Sequence, residues 1–179
     1  MSTPHNEIYL DNSATTALCP EATCTMQTVM ENIYGNPSSL HAAGLAAEKV
    51  VAEARTAVLN ALGARGDSRQ LIFCGSGSEA NNLALIGSYT AKRRHLGARI
   101  VITAGEHSST EAAASYLESL GAEVVRLSTR GGAFDFDEIE SALTAETVLV
   151  SSMLVNNETG ALYPVADLFR AARAQCPDA

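Results

Sequence analysis

Five short apolar runs, spaced by stretches whose apolar residues recur every three or four positions, limit most tightly what this chain can fold into. Ile8-Tyr9-Leu10, Leu71-Ile72-Phe73, Ile100-Val101-Ile102, Val124-Val125 and Val148-Leu149-Val150 have the continuous hydrophobicity of strands buried on both faces. Between them, Ala47, Val51, Ala54, Val58 and Leu62 mark one face of a helix from His41 that ends at Gly63. Ser108 to Leu120 reads as another, stopping at Gly121. Asp135 with Glu138 resembles a capping box ahead of Ile139 and Leu143, and Val165, Leu168, Phe169 and Ala172 form the stripe of a last helix entered from Pro164. Strand and helix alternating through short connections predict an α/β fold: a three-layer sandwich with a mostly parallel central sheet. Asp11 to Ser39 is less regular and reads as loops around a short helix near Pro20 to Ile33.

The chain has 179 residues, enough for one domain with a substantial core, or for part of a larger one. A net charge of −8, with Lys92-Arg93-Arg94-His95 as the basic cluster at an expected helix end, argues against a nucleic-acid partner. Met1 to Glu7 lacks the apolar core of a signal peptide and no later run is long enough to span a membrane, so a cytoplasmic protein is expected. Cys19, Cys24, Cys74 and Cys176 fit neither a zinc site nor a disulfide framework and read as reduced thiols. No metal site is expected, because His41 and His107 have no second ligand at a suitable spacing.

Ligands of open α/β sheets bind where strands end. Four expected strand exits carry polar groups: Asp11 to Thr16, Gly75-Ser76-Gly77-Ser78, Thr103 to His107, and Asn156-Asn157-Glu158-Thr159-Gly160. The second joins a strand to a helix through glycines and hydroxyls, a junction suited to a phosphate held by free helix N–H groups. Gly75 to Ala80 also fits the dinucleotide pattern G-x-G-x-x-A, but Arg99 occupies the neighbourhood where an acidic ribose ligand is expected. A plain strand-to-helix turn remains open for this segment. So do a hydrogen-bonded surface role for His107, a turn role for Asn156-Asn157, and a loop and helix entry for Asn36 to His41.

Taken together, Ile8 to Thr16, Tyr34 to His41, Phe73 to Asn82, Glu106-His107 and Val155 to Gly160 resemble, in order and spacing, the successive signatures of the cysteine desulfurases, pyridoxal-phosphate enzymes of the class V aminotransferase family. The resemblance implies the large-domain fold of fold-type-I enzymes, truncated, with residues 1–16 as an N-terminal segment at the active-site edge and 17–179 as the first part of the cofactor-binding domain. It implies that Gly77 and Ser78 bind the cofactor phosphate, that His107 stacks on the pyridine ring and assists proton transfer, and that Asn157 hydrogen-bonds the phenolic oxygen. Ala14 and Thr15 would lie near the substrate entrance. The implied reaction converts L-cysteine to L-alanine and an enzyme persulfide, passing sulfur to an acceptor protein for iron–sulfur clusters or thio-cofactors, in a homodimer.

Cys74, Gly77 and Ser78 depart from the Thr or Ser and Ala-Thr of many relatives, although Ser78 keeps the hydroxyl. The larger departure is length. The family's aspartate for the pyridine nitrogen, its glutamine, its Ser-x-His-Lys motif, its persulfide cysteine and its substrate arginine find no match before Ala179, and Lys49 and Lys92 fall on expected helices. The expectation is an amino-terminal half that is inactive alone. Another class V aminotransferase or lyase, and a non-catalytic half of a split protein or binding module, are the alternatives.

Overall fold

The computed structural model describes residues 8–64 and 70–179. The chain divides into two compact units, Met1–Phe73 and Cys74–Ala179. The expectation for Met1 to Glu7 lies outside the described residues.

The first unit holds α1 (Pro20–Asn32) and α2 (Ala42–Ala61). Pro20 opens α1, where a missing N–H costs nothing. His41 caps α2, its Nδ1 accepting from the Gly44 N–H at 3.3 Å, while the Asn36 side chain accepts from the Ser38 N–H at 2.8 Å to form the preceding turn. The helix-entry reading of this segment is therefore the one the structure supports. Gly44 is required by close approach, because a Cβ there would sit 2.1 Å from the Ser39 carbonyl oxygen.

Two expected strands do not form in this unit. Ile8-Tyr9-Leu10 and Leu71-Ile72-Phe73 are not strands in the structure, and Ile8 at 82% and Ile72 at 64% are largely exposed. Local hydrophobicity makes a segment suitable for a strand, but the strand exists only when another backbone takes up its N–H and C=O groups.

The second unit is the three-layer α/β sandwich. It comprises α3 (Gly77–Lys92), β1 (Arg99–Thr103), α4 (Ser108–Ser119), β2 (Glu123–Leu127), α5 (Phe136–Ala142), β3 (Thr147–Ser151) and α6 (Val165–Gln175). The strands form a parallel sheet in the order β2-β1-β3, with Val101 level with Val125 on one side and Val150 on the other. Alternation along β1 feeds two cores. Ile100 and Ile102 pack with Tyr89, Ala114, Leu117 and Val148 under α3 and α4. Val101 packs with Leu127, Ile139, Leu143, Leu168 and Ala172 under α5 and α6. Each fully buried aliphatic contributes roughly 1.5–3 kcal/mol of transfer free energy, which accounts for the position of β1 at the centre.

Asp135 caps α5 by accepting from the N–H groups of Asp137 and Glu138. The expected reciprocal half of the box is absent, because the Glu138 carboxylate instead accepts from the Ser128 N–H at 3.0 Å, tying α5 to the end of β2. No helix among the described residues is long and apolar enough to cross a membrane.

Candidate functional site at the strand exits

The strand order reverses direction around β1. From β1 the chain moves to β2 on one side, then returns past β1 to place β3 on the other. The loops leaving β1 and β3 therefore diverge, opening the crevice in which α/β sheets bind ligands. A cavity of about 620 Å³ lies there, lined by residues that include Glu106, His107, Thr129, Asn157, Thr159 and Tyr163.

Two clasps hold the mouth of this crevice. Oε1 of Glu106, at the β1 exit, accepts from the Met153 N–H after β3 at 2.8 Å and from the Thr103 hydroxyl. Asn156, only 7% exposed, donates from Nδ2 to the Gly105 carbonyl at 2.9 Å. Its Oδ1 accepts from the Glu158 N–H at 3.0 Å, the Thr159 N–H at 2.9 Å and the Thr159 hydroxyl at 3.1 Å. The turn closes back on itself through the antiparallel bridge Val155–Leu162 and Gly160, whose φ of 71° suits a residue without Cβ.

The two asparagines thus have different work. Asn156 takes the turn role, with both ends of its amide satisfied. Asn157 is exposed, makes no hydrogen bond among the described residues, and lines the cavity with its amide available.

His107 is the N-cap of α4, its Nδ1 accepting from the Ser109 N–H at 3.1 Å, and it lines the same cavity. It is thus an exposed, hydrogen-bonded residue at a strand exit that also faces the cavity. Beside α4 lies the start of α3, joined to it by the Asn81 Nδ2, which donates to the Ser109 hydroxyl at 2.8 Å. Two helix N-termini, α3 and α4, are therefore neighbours, and their unpaired first-turn N–H groups and dipoles favour an anion.

Within the α3 turn, Ser76 caps the helix by accepting from the Glu79 N–H at 3.1 Å, and the Glu79 carboxylate accepts from the Gly75 N–H at 2.6 Å. That leaves Gly77 and Ser78 as the polar groups at the helix entrance. A Cβ on Gly77 would meet nothing within 4 Å, so its backbone is open to a ligand. Ala14 and Thr15 belong to the first unit, where their N–H groups turn back to the Asp11 carbonyl.

Sequence reasoning passed over the exit of β2. Thr129, Gly131 and Gly132 line the cavity, and the strand-exit rule that singled out the other loops applies equally to Ser128 to Gly132. It also missed Ser109, which carries no motif signal, and gave Asn81, inside the Phe73 to Asn82 signature, no role of its own; both matter through contacts between α3 and α4.

The Aminotransferase class-V family model matches residues 8–177. The chain belongs to the class V aminotransferase family. It is 38% identical over 164 residues to a cysteine desulfurase of Trichormus azollae, an alignment covering 90% of this chain and 40% of that relative. Among solved structures, one described as a NifS-like protein superposes with a TM-score of 0.88 at 28% identity over 96% of this chain and 46% of its own. Another, SspA in complex with cysteine, gives 0.83 at 27% identity over 93% of this chain and 47% of its own. The chain thus spans less than half the length of each of these relatives.

Proposed function

We propose that these residues form the pyridoxal-phosphate-binding part of a cysteine desulfurase. The observation that carries the reading is the convergence of His107 from the β1 exit and Asn157 from the β3 exit on one cavity at the sheet's reversal point. The relatives' names, a cysteine desulfurase and SspA in complex with cysteine, support cysteine as the substrate class, and in this reading L-cysteine is converted to L-alanine and an enzyme persulfide.

In this reading the ring of the cofactor would occupy the cavity lined by His107 and Asn157, and its phosphate the neighbouring α3 entrance, which does not itself line that cavity. Gly77 and Ser78 at the start of α3 would take the phosphate dianion, each charge-assisted hydrogen bond being roughly twice as strong as a neutral one. His107 would lie against the pyridine ring and Asn157 would donate to its phenolic oxygen. When bound, the group supplies an electron sink for bond cleavage next to an amino-acid nitrogen. The chain's own residues bind it, orient it and hold a proton at the His107 ring. In the cysteine desulfurase reading, iron–sulfur or thio-cofactor assembly receives the sulfur through an acceptor protein, and the working enzyme is a cytoplasmic homodimer.

No lysine lines the cavity: Lys49 pairs with Glu53 on α2 and Lys92 ends α3. The 179-residue chain is therefore expected to hold pyridoxal phosphate reversibly and to release no sulfide from L-cysteine. Sustained sulfide release by the chain alone would contradict this. The function itself is tested by grafting residues 8–177 over the matched region of the Trichormus azollae relative and assaying alanine and sulfide. Turnover that is lost with His107→Ala is expected; a folded, cofactor-retaining graft without desulfurase activity would overturn the reading.

A further inference from the structure

His107 is held by more than its place after β1. The backbone N–H of Ser109 points at Nδ1 from 3.1 Å, and a backbone N–H can only donate. Nδ1 must therefore be the acceptor, so the neutral ring carries its hydrogen on Nε2. The Ser109 hydroxyl lies 2.8 Å from the same Nδ1 and, facing an acceptor, must donate as well.

The hydroxyl is kept in that orientation by what stands behind it. Asn81 Nδ2 on α3 donates to Ser109 Oγ at 2.8 Å, with a longer contact of 3.4 Å to the Thr110 hydroxyl. With Oγ accepting from Asn81, the single Ser109 proton is directed at the imidazole. All three side chains lie in the Cys74–Ala179 unit, and Asn81 and Ser109 are half-buried, where water competes less for these bonds.

We propose that Asn81 and Ser109 are positioning residues that fix the tautomer and orientation of His107, so that Nδ1 is committed to the α4 N-terminus and Nε2–H is the group offered to whatever occupies the cavity. The relay's geometry is independent of the function proposed above; its catalytic significance rests on that reading. Proton transfer at this ring then runs through Nε2, and the relay uses neutral donors only, so it places no charge beside the ring.

Long-range ¹H–¹⁵N correlation on the ¹⁵N-labelled chain tests this at pH about 8.5, two units above the ordinary imidazole value of ~6.5. The sequence has four histidines, and His107→Gln identifies the resonances. The wild type is expected to show an acceptor-type Nδ1 and a protonated Nε2. Ser109→Ala, which removes one hydrogen bond of ordinary strength, should lower the Nε2–H to Nδ1–H ratio about fivefold, drawing the two nitrogen shifts together. Ser109→Thr should restore the wild-type pattern. Asn81→Asp, whose carboxylate recruits the serine proton, should reproduce the alanine pattern. A wild-type ring protonated on Nδ1 or averaged between tautomers overturns the proposal, and this needs no variant to fold. So does an unchanged pattern in Ser109→Ala and Asn81→Asp. Because no cofactor is involved, a failure here leaves the cofactor reading standing, and a failure to bind cofactor leaves the relay standing.

Discussion

Asn156 and Asn157 are adjacent and chemically identical, yet the fold uses the side chain of only the first. Asn156→Ala removes the Gly105 tie and the acceptor of two N–H groups and a hydroxyl. With the Asn156 side chain buried and its partners nearer solvent, that loss should cost about 1–2 kcal/mol, read as a lowered urea midpoint. Asn157→Ala, at an exposed side chain without a protein hydrogen bond, should change stability by less than ~0.5 kcal/mol. Equal losses in the two variants would contradict the assignment. Sequence could mark the pair but not divide it, since the division depends on which amide the 156–160 turn folds around. For the same reason Glu106 was legible as a polar neighbour of His107 but not as a clasp, because its partner Met153 lies 47 residues away.

Among the secondary-structure elements, α4 is fastened to β2 by Arg126. Its guanidinium bonds the Glu111 carboxylate at 2.6 Å and the Glu118 carboxylate at 2.9 Å. The hydrogen bond from Arg126 holds the Glu118 carboxyl below its ordinary range, and the two carboxylates raise the guanidinium further above its own. A depressed carboxylate stabilises the fold at pH above its unfolded value, ~4.3 for Glu, and that stability disappears as pH falls through the folded value. The raised Arg126 stays charged throughout the accessible range and adds no pH dependence. Urea midpoints of the wild type and Glu118→Gln should therefore differ modestly at pH 7, the pair being exposed, and converge below about pH 4. A difference that persists in acid would count against this tie.

The elements read correctly from sequence are α1 and α2 of the first unit and, in the second, β1 to β3 with their flanking helices. Ile8 to Leu10 and Leu71 to Phe73 carry the same apolar signal and are not strands, since periodicity reports what a segment would bury and not the backbone geometry it takes up.

The molecule as a whole distributes its core unevenly. Both apolar clusters belong to the Cys74–Ala179 unit, whereas α1 buries none of its residues and α2 buries Gly44 and Ala47. Local opening costs least where few apolar contacts are lost. Hydrogen exchange should therefore leave the amides of Ile100, Val101 and Ile102 among the slowest and those of α1 among the fastest. Uniform protection across both units would refute this picture. Exposed Leu10, Met30, Tyr34, Leu40, Leu62 and Phe73 give the first unit apolar surface, so the chain should bind the dye ANS in its native state. The parallel sheet and its flanking helices were the part of this architecture that the alternating pattern made legible. The division at Phe73–Cys74 was not, because no change of composition marks it.

The central claim, that Gly77, Ser78, His107 and Asn157 form one cofactor cradle, is tested most directly by titrating the chain with pyridoxal phosphate and following the phosphate by ³¹P NMR. Saturable binding is expected, weakened about tenfold or more by Ser78→Ala, which removes a hydrogen bond to a charged group, and weakened also by Asn157→Ala. Absence of saturable binding, or an affinity indifferent to both substitutions, would contradict the claim.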